Sequence, residues 1–526
     1  MQRRIFLKGS LGLLAARAAA GAPVLYSEES QDGMPEFSTS DSRWQAAYEK
    51  ACAVLAGNVQ VLPRYGKPVL IEGAQYPGVW QECAPQEGLA YRHFRPDVAR
   101  NNQMAFFALQ RPDGQLPANN KRTETGFGQI QMVVPIAATA WELARSIGDE
   151  ELLETAYRAC GRWDAWLMRY RDTRKTGLIE GFCTYDTGMD NSPRWAGMPR
   201  QCPNHDAKQC AKVPSLPRLC PDLSATVYGG RTALAGMAED LGKPDEAADW
   251  TEKAGKIRRE IVERCYVPED AAFYDVDAQN RFVKVRSVVM TRVCGEHVVD
   301  QPMFDVLWRR QIGNPHAFWA PYPIPSVALN DPAFVRPIPH NSWGGASQAL
   351  TALRAPRWMD HYGRSAELGH LMQQWCMALQ RDTSFRQQLD PLTGAFTNGD
   401  QPGYSPSSLV MVDFTWRLAG ISEEPEELQW NVRPGIGASR AARFRVKLRG
   451  GRAEMSYGSD GATLTFAGRR VAQVRGTARV VTDLTGGIRA LVGISLSEEK
   501  IDMHYGNRPA ATVTLKPNQR INLVEG

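Results

Sequence analysis

Asp186 and Asp190 stand four positions apart in the run Tyr185-Asp186-Thr187-Gly188-Met189-Asp190-Asn191-Ser192-Pro193-Arg194-Trp195. Gly188 lies between them, and the Asn-Ser-Pro that follows stops a helix or opens a turn. An aromatic precedes the run and another closes it. Acids on a loop, backed by aromatics and amides, are what cleavage of a glycosidic bond requires. A carboxylic acid protonates the leaving oxygen, while ring faces and amides hold the sugar. Composition alone also permits an Asx-rich surface turn, because Asp and Asn are common turn residues.

The run resembles the Glu-Ser-Gly-(Met/Trp)-Asp-(Asn/Phe)-Ser-(Pro/Ser)-Arg signature of inverting glycoside hydrolases with an (α/α)6 barrel. These are the trehalases, the processing α-glucosidases and the bacterial mannosylglycerate hydrolases. In that pattern the second acid is the general acid, which falls on Asp190, and the first acidic position falls on Asp186. The stretch Tyr76-Pro77-Gly78-Val79-Trp80-Gln81-Glu82-Cys83 resembles the family's Trp-Asp motif, whose acid contacts the sugar where cleavage occurs. Its nearest matches are Trp80 and Glu82. The turn Gln110-Arg111-Pro112-Asp113-Gly114-Gln115-Leu116-Pro117 and the helix Tyr228 to Ala238 also have counterparts in these enzymes. His340-Asn341-Ser342-Trp343-Gly344-Gly345 sits where they have Tyr-Trp-Arg-Gly-Pro-x-Trp. Trp343 keeps the aromatic, and the Arg is missing.

One departure bears on mechanism. Phe385-Arg386-Gln387-Gln388-Leu389-Asp390-Pro391-Leu392-Thr393-Gly394 resembles the segment Glu-x-Tyr-(Asn/Asp)-Pro-x-Thr-Gly, whose Glu is the general base. Gln387 occupies that place, or Gln388 if the register slips by one. An amide cannot take a proton from water at neutral pH. Either another carboxylate (Asp390, Glu82, Glu72 or Asp400) has taken the role, or the mechanism differs, or the protein binds glycan without cleaving it. Retention of both Asp186 and Asp190 favours the first, with Asp390 as the expected base. An inverting pair wants its carboxyls about 6.5–9.5 Å apart. The resemblance therefore implies catalysis by Asp190 and Asp390, with Glu82, Trp80, Asp186, Asn191, Arg194, Trp343, Gln387 and Tyr404 holding a carbohydrate substrate. It implies no cofactor and no metal. Two rivals remain: a polysaccharide lyase on the same toroid, with Tyr404 or His340 as base or acid, and a non-catalytic glycan-binding protein.

The elements that must position these residues are helical. Apolar residues recur at three- to four-residue steps over Ser40–Val61, Asp97–Leu109, Ile130–Ile147, Glu151–Tyr170, Ser224–Leu241 and Pro244–Cys265. Sequential helix pairs joined by loops that carry acids and aromatics predict a mainly α fold, an (α/α)6 toroid over residues 40–421. Asn314 to Ser326, rich in Pro and aromatics, predicts a loop across a cleft mouth or a packed strap. From Phe444 onward short alternating runs separated by turns predict a small all-β sandwich within residues 428–526.

The bulk numbers agree. The 526 residues exceed one average domain, and a large barrel with an appendage fits them. Net charge is +5 with 62 basic and 57 acidic residues dispersed along the chain, which argues against nucleic acid as the main partner. Arg3-Arg4-Ile5-Phe6-Leu7-Lys8, followed by an Ala-rich apolar stretch, fits a twin-arginine export signal over residues 1–22. That stretch is too short to span a membrane, and a periplasmic location follows. Of the ten cysteines, Cys202, Cys210 and Cys220 cluster in a Pro-rich insertion where one disulfide fits. A metal site adding His205 matches no zinc spacing. Cys52, Cys160, Cys265 and Cys376 lie in helical patterns as buried thiols.

Overall fold

The computed structural model describes residues 34–523 apart from positions 74, 398, 435–440, 460 and 507–510; the signal expected over residues 1–22 lies outside them. Twelve α-helices occur among the described residues. We number them α1 (Ser42–Gly57), α2 (Ala84–Tyr91), α3 (Pro96–Ala108), α4 (Ile136–Ile147), α5 (Glu150–Tyr170), α6 (Pro221–Asp240), α7 (Pro244–Cys265), α8 (Val289–Gly295), α9 (Gln301–Leu307), α10 (Ala349–Met359), α11 (Ser365–Arg381) and α12 (Ser405–Ala419).

Their starts are written in local chemistry. Asp41, Asp149 and Asp300 each accept a backbone N–H in the first turn of α1, α5 and α9, satisfying donors that have no partner inside the helix. Proline opens α3, α6 and α7 and takes the second position of α2 and α12, where its missing N–H costs nothing. The helix expected from Ile130 begins only at Ile136. Ile130 and Met132 donate their N–H groups to Asp186 instead, and Pro135 then sets the helix entrance. The far end of the Ser40–Val61 pattern is likewise not helical: Val59–Val61 pairs as a strand with Pro68–Leu70.

The even-numbered helices pack in a cycle. α2 meets α4, α4 meets α6, α6 meets α8, α8 meets α10, α10 meets α12, and α12 returns to α2. α3, α5 and α7 pack on α2, α4 and α6, and α1 and α11 pack on α12. Burial differs most sharply between α6 and α7. α6 buries residues on every side, whereas α7 buries only Ala247, Ala254, Ile257, Ile261 and Cys265, one stripe of an amphipathic surface helix. The connections that run into the N-termini of the even helices therefore share one end of the cycle. These carry Tyr76 to Glu82 before α2, Asp186 to Arg194 before α6, His340 to Trp343 before α10 and Gln387 to Tyr404 before α12.

Asn314 to Ser326 is a packed strap. Phe318, Tyr322 and Ile324 are buried, and Ser347 donates its hydroxyl to the Tyr322 carbonyl. After α12 the described chain turns to strands. Two antiparallel sheets form, one of seven strands and one of five. Strands such as Gly451–Gly458 and Gly461–Phe466 bury every second residue, as expected for a sheet with one face on a core. An unexpected strand, Glu36–Thr39, edges the seven-stranded sheet by pairing with Ala442–Leu448. It buries little besides Phe37, so its own alternation is too short to read. No helix among the described residues is long and apolar enough to cross a membrane.

Candidate active site

The acid loop is built around Asp186, whose carboxylate is wholly inside the protein. It accepts the N–H groups of Ile130 (2.9 Å), Phe182 (2.7 Å) and Cys183 (3.2 Å). Arg171, also fully buried, clamps it with Nη1 at 2.6 Å and Nη2 at 3.1 Å. Every lone pair is committed, so the expected sugar contact of Asp186 is corrected to a structural anchor. Arg194 is corrected in the same way. Its guanidinium is buried against Asp222 (2.7 Å) and Asp275 (3.0 Å). These two residues of the expected sugar-holding set are the pegs of the loop, and Asp190, between them, is the group it presents.

Asp190 is partly exposed. Its Oδ2 accepts Nδ2 of Asn341 at 3.3 Å. Asn341 Oδ1 accepts Nε2 of Gln387 at 2.9 Å, and Gln387 Oε1 accepts the Tyr76 hydroxyl at 3.0 Å. Tyr76 lies edge-on to Trp80 at 5.9 Å and to Tyr404 at 6.2 Å. Asn191 donates to the Asn341 carbonyl at 2.6 Å. Asn341 sits at φ 47°, a left-handed conformation that Asn tolerates better than most residues. Loops before α2, α6, α10 and α12 thus converge on one polar chain from Asp190 to Tyr76.

Carboxyls crowd behind it. Glu72 Oε1 accepts the Tyr404 hydroxyl at 2.7 Å. Burial, and then the charge of Glu87, push the Glu72 carboxyl up to about 8, and the negative charge of Asp190 adds to the effect. Glu87 is also pushed up to about 8, chiefly by burial. Burial and the neighbouring Glu72 and Asp190 hold Glu82 well above the usual carboxylate range, with Arg292 pulling the other way. Burial raises Asp190, opposed by the Asn341 hydrogen bond and the charge of Arg200. Carboxyls placed together outside water resist ionising together, which adds to burial in raising Glu72, Glu82 and Glu87. Glu82, Gly188, Arg292 and Trp343 line one small cavity, with the Arg292 guanidinium 5.3 Å over the Trp343 ring.

The two glutamines have different surroundings. Gln388 is buried, accepts Ser342 N and Gln348 Nε2, and donates to Pro339 O and Thr397 Oγ1. Gln387 faces Asn341 and Tyr76. Asp390, the expected base, is corrected. Its Oδ1 accepts Leu392 N and Thr393 N, and its Oδ2 meets Arg336 at 3.3 Å, so it caps its own turn. Among the expected residues the fold gathers Glu82, Trp80, Asp190, Asn191, Trp343, Gln387 and Tyr404, and it sets Asp186, Arg194 and Asp390 apart. Tyr76, Asn341 and Arg292 were not singled out from sequence. Asn341 had a signal, as the polar neighbour of Trp343, whereas Arg292 lies in an apolar helical stretch and had none.

The expected disulfide among Cys202, Cys210 and Cys220 is not formed; all ten cysteines are free thiols. Cys202 faces Cys183 at 3.7 Å between sulfurs, and the Cys220 thiol lies against the Arg218 carbonyl.

Known proteins are similar to this chain. The family model described as a mannosylglycerate hydrolase MGH1-like glycoside hydrolase domain matches residues 76–416. The glucosylglycerate hydrolase of Mycolicibacterium hassiacum is 33% identical over 66 residues, 12% of this chain and 15% of that protein. Among solved structures, the GH63 mannosylglycerate hydrolase of Thermus thermophilus in complex with Tris is 18% identical with a TM-score of 0.58, covering 70% of this chain and all of that one (100%). The neutral trehalase of Saccharomyces cerevisiae is 12% identical with a TM-score of 0.52, covering 70% of this chain and 80% of its own. At such identities the structures speak for a shared fold.

Proposed function

The chain belongs to the mannosylglycerate hydrolase MGH1-like glycoside hydrolase family, and on that premise we propose that it cleaves a glycoside by inverting acid–base hydrolysis, with Asp190 as the general acid. One observation carries this reading. Asp190 is the partly exposed carboxyl of a loop pegged at both sides, its proton affinity is raised by burial, and it faces an amide and aromatic lining. A carboxyl whose proton affinity is raised by burial is suited to donate to a departing glycosidic oxygen. Glu82 and Trp343 line one small cavity with Gly188 and offer a carboxyl and a ring face that suit contact with a sugar.

In this reading the cycle of even helices is the inner ring of an (α/α)6 toroid over residues 40–421, and residues 428–526 form a β-sandwich appendage. Residues 1–22 would export the enzyme to the periplasm. The substrate is a small glycoside. Mannosylglycerate, glucosylglycerate and trehalose are the compounds to assay first, because the relatives' names point to them. The test is release of free sugar from that panel, with proton NMR of the first-formed anomer. Turnover with inversion supports the proposal, and turnover with retention rules out the inverting mechanism. Gln387 at the base position favours a second reading, glycan binding without cleavage. Saturable binding with no turnover across the panel would establish it.

A further inference from the structure

A water attacking a sugar carbon must lose a proton, and the residue standing where the family keeps its base is an amide. The carboxyls behind it are poor substitutes. Glu72 already holds the Tyr404 hydroxyl and is buried, and Asp390 caps its own turn. On the other side of Gln387 lies a different pair. His340 is sequence neighbour to Asn341, the residue that touches Asp190. Its Nδ1 lies 2.5 Å from Oδ1 of Asp400, and its side chain is 47% exposed whereas that of Asp400 is fully enclosed. The second Asp400 oxygen accepts the Thr397 hydroxyl at 2.8 Å, and Asn341 N also approaches Oδ1, at 3.4 Å. The carboxylate is therefore held in one orientation.

Its acceptor position fixes the ring. Nδ1 carries the proton that Asp400 receives as a hydrogen bond, which leaves the lone pair on Nε2. A second contact agrees: Gln75 Nε2 lies 3.1 Å from His340 Nε2 and can only donate to it, since Gln75 Oε1 is committed to Gln401 N at 2.9 Å. Gln75 Nε2 also donates to the Tyr76 hydroxyl at 3.0 Å, which in turn donates to Gln387. One hydrogen-bonded path thus runs from Asp190 through Asn341, Gln387, Tyr76 and Gln75 to His340. The acid and the imidazole terminate opposite ends of it.

We propose that His340, oriented by Asp400, is the general base in place of the absent glutamate; this assignment rests on the hydrolase reading above. Water takes the place of the Gln75 amide at Nε2 and gives its proton to that nitrogen. Its oxygen forms the new bond to the anomeric carbon as the bond to the leaving oxygen breaks. Asp190 supplies the proton that the leaving oxygen takes up. The products are a free sugar and an alcohol, with the imidazolium and the Asp190 carboxylate reset by exchange of one proton with solvent. Asp400 is a positioning residue, and Gln387 holds the path that lines up the water.

The test uses His340→Ala, Asp400→Asn and Asp190→Asn in the full-length protein, with nitrophenyl glucosides and mannosides of both anomers as probes and sodium azide as an added nucleophile. An azide ion needs no deprotonation. His340→Ala is expected to lose about 10²–10⁴-fold in kcat with an unchanged melting temperature, and azide should restore turnover by forming a glycosyl azide of inverted configuration. Asp400→Asn should show a smaller kcat loss with KM held and the same azide product. An inactive but folded His340→Ala that azide does not rescue would overturn the assignment. So would a His340→Ala as fast as the wild type while Asp190→Asn is impaired on the glycosides of the panel whose leaving groups need a proton, and that outcome leaves the hydrolase reading standing. A wild type that turns over no probe and no member of the glycoside panel overturns both.

Discussion

Gly188 and Glu82 are in contact across the candidate site: a Cβ on Gly188 would overlap Oε2 of Glu82. Gly188 also sits at φ 60°, where side chains are disfavoured. The glycine between the two aspartates therefore does two things. It turns the chain so that Asp186 points into the core and Asp190 out of it, and it leaves room for the acid of the neighbouring loop.

Gly188→Ala is expected to displace Glu82 and to cut kcat/KM about 10²-fold or more, while the left-handed backbone alone costs about 1–2 kcal/mol. Urea denaturation together with steady-state kinetics separates the two effects. A stability loss with normal kinetics would show that the contact does not matter to the site.

Asp186→Asn and Asp190→Asn should behave oppositely. Asp186 forms a buried ion pair with Arg171 (2.6 Å), and breaking such a pair leaves an uncompensated charge inside, at a cost of about 3–5 kcal/mol. Asp190 holds one long hydrogen bond to Asn341, so its substitution should barely change the melting temperature. Thermal denaturation of the two variants side by side decides it.

Asp190→Asn should abolish hydrolysis of glycosides with poor leaving groups and spare those with activated aryl leaving groups, which depart without a proton. Plotting log kcat against leaving-group pKa checks this. An equal loss for every leaving group would remove the general-acid role.

Stability should fall as pH rises through neutrality. Glu72 and Glu87 are pushed from 4.5 up to about 8 in the folded protein. Between those two values the folded state holds protons that the unfolded state has released. The slope of stability with pH is then negative, by up to about 1.4 kcal/mol per pH unit for each group. Below pH 4.5 both states are protonated and the effect is complete; above about 8 it is lost. Urea midpoints measured from pH 4.5 to 8.5 should decline, and Glu72→Gln should flatten the curve.

The helical periodicities, the Asp186-to-Arg194 run and the order of the motifs were all legible in the chain. Their signals are local: caps, prolines and apolar stripes act within a few residues. What was misread involved distant partners. The helix expected from Ile130 gave way because Asp186, 56 residues on, takes the Ile130 N–H. The strand Glu36–Thr39 forms only because Ala442–Leu448 supplies its ladder.

By itself the sequence determined that acids, aromatics and amides lie on loops between paired helices, and that two glutamines, Gln387 and Gln388, stand in the segment where the resemblance leads one to expect a glutamate. Only the tertiary structure decided which acid is enclosed in an ion pair and which is left partly exposed. Asp186 and Asp190 are the same residue type four positions apart, yet one is enclosed with Arg171 and the other faces Asn341. The difference is burial and pairing, and those depend on neighbours that the chain brings together from positions 171 and 341. For the same reason the His340–Asp400 pair, 60 residues apart in sequence, exists as a chemical unit only in the folded protein.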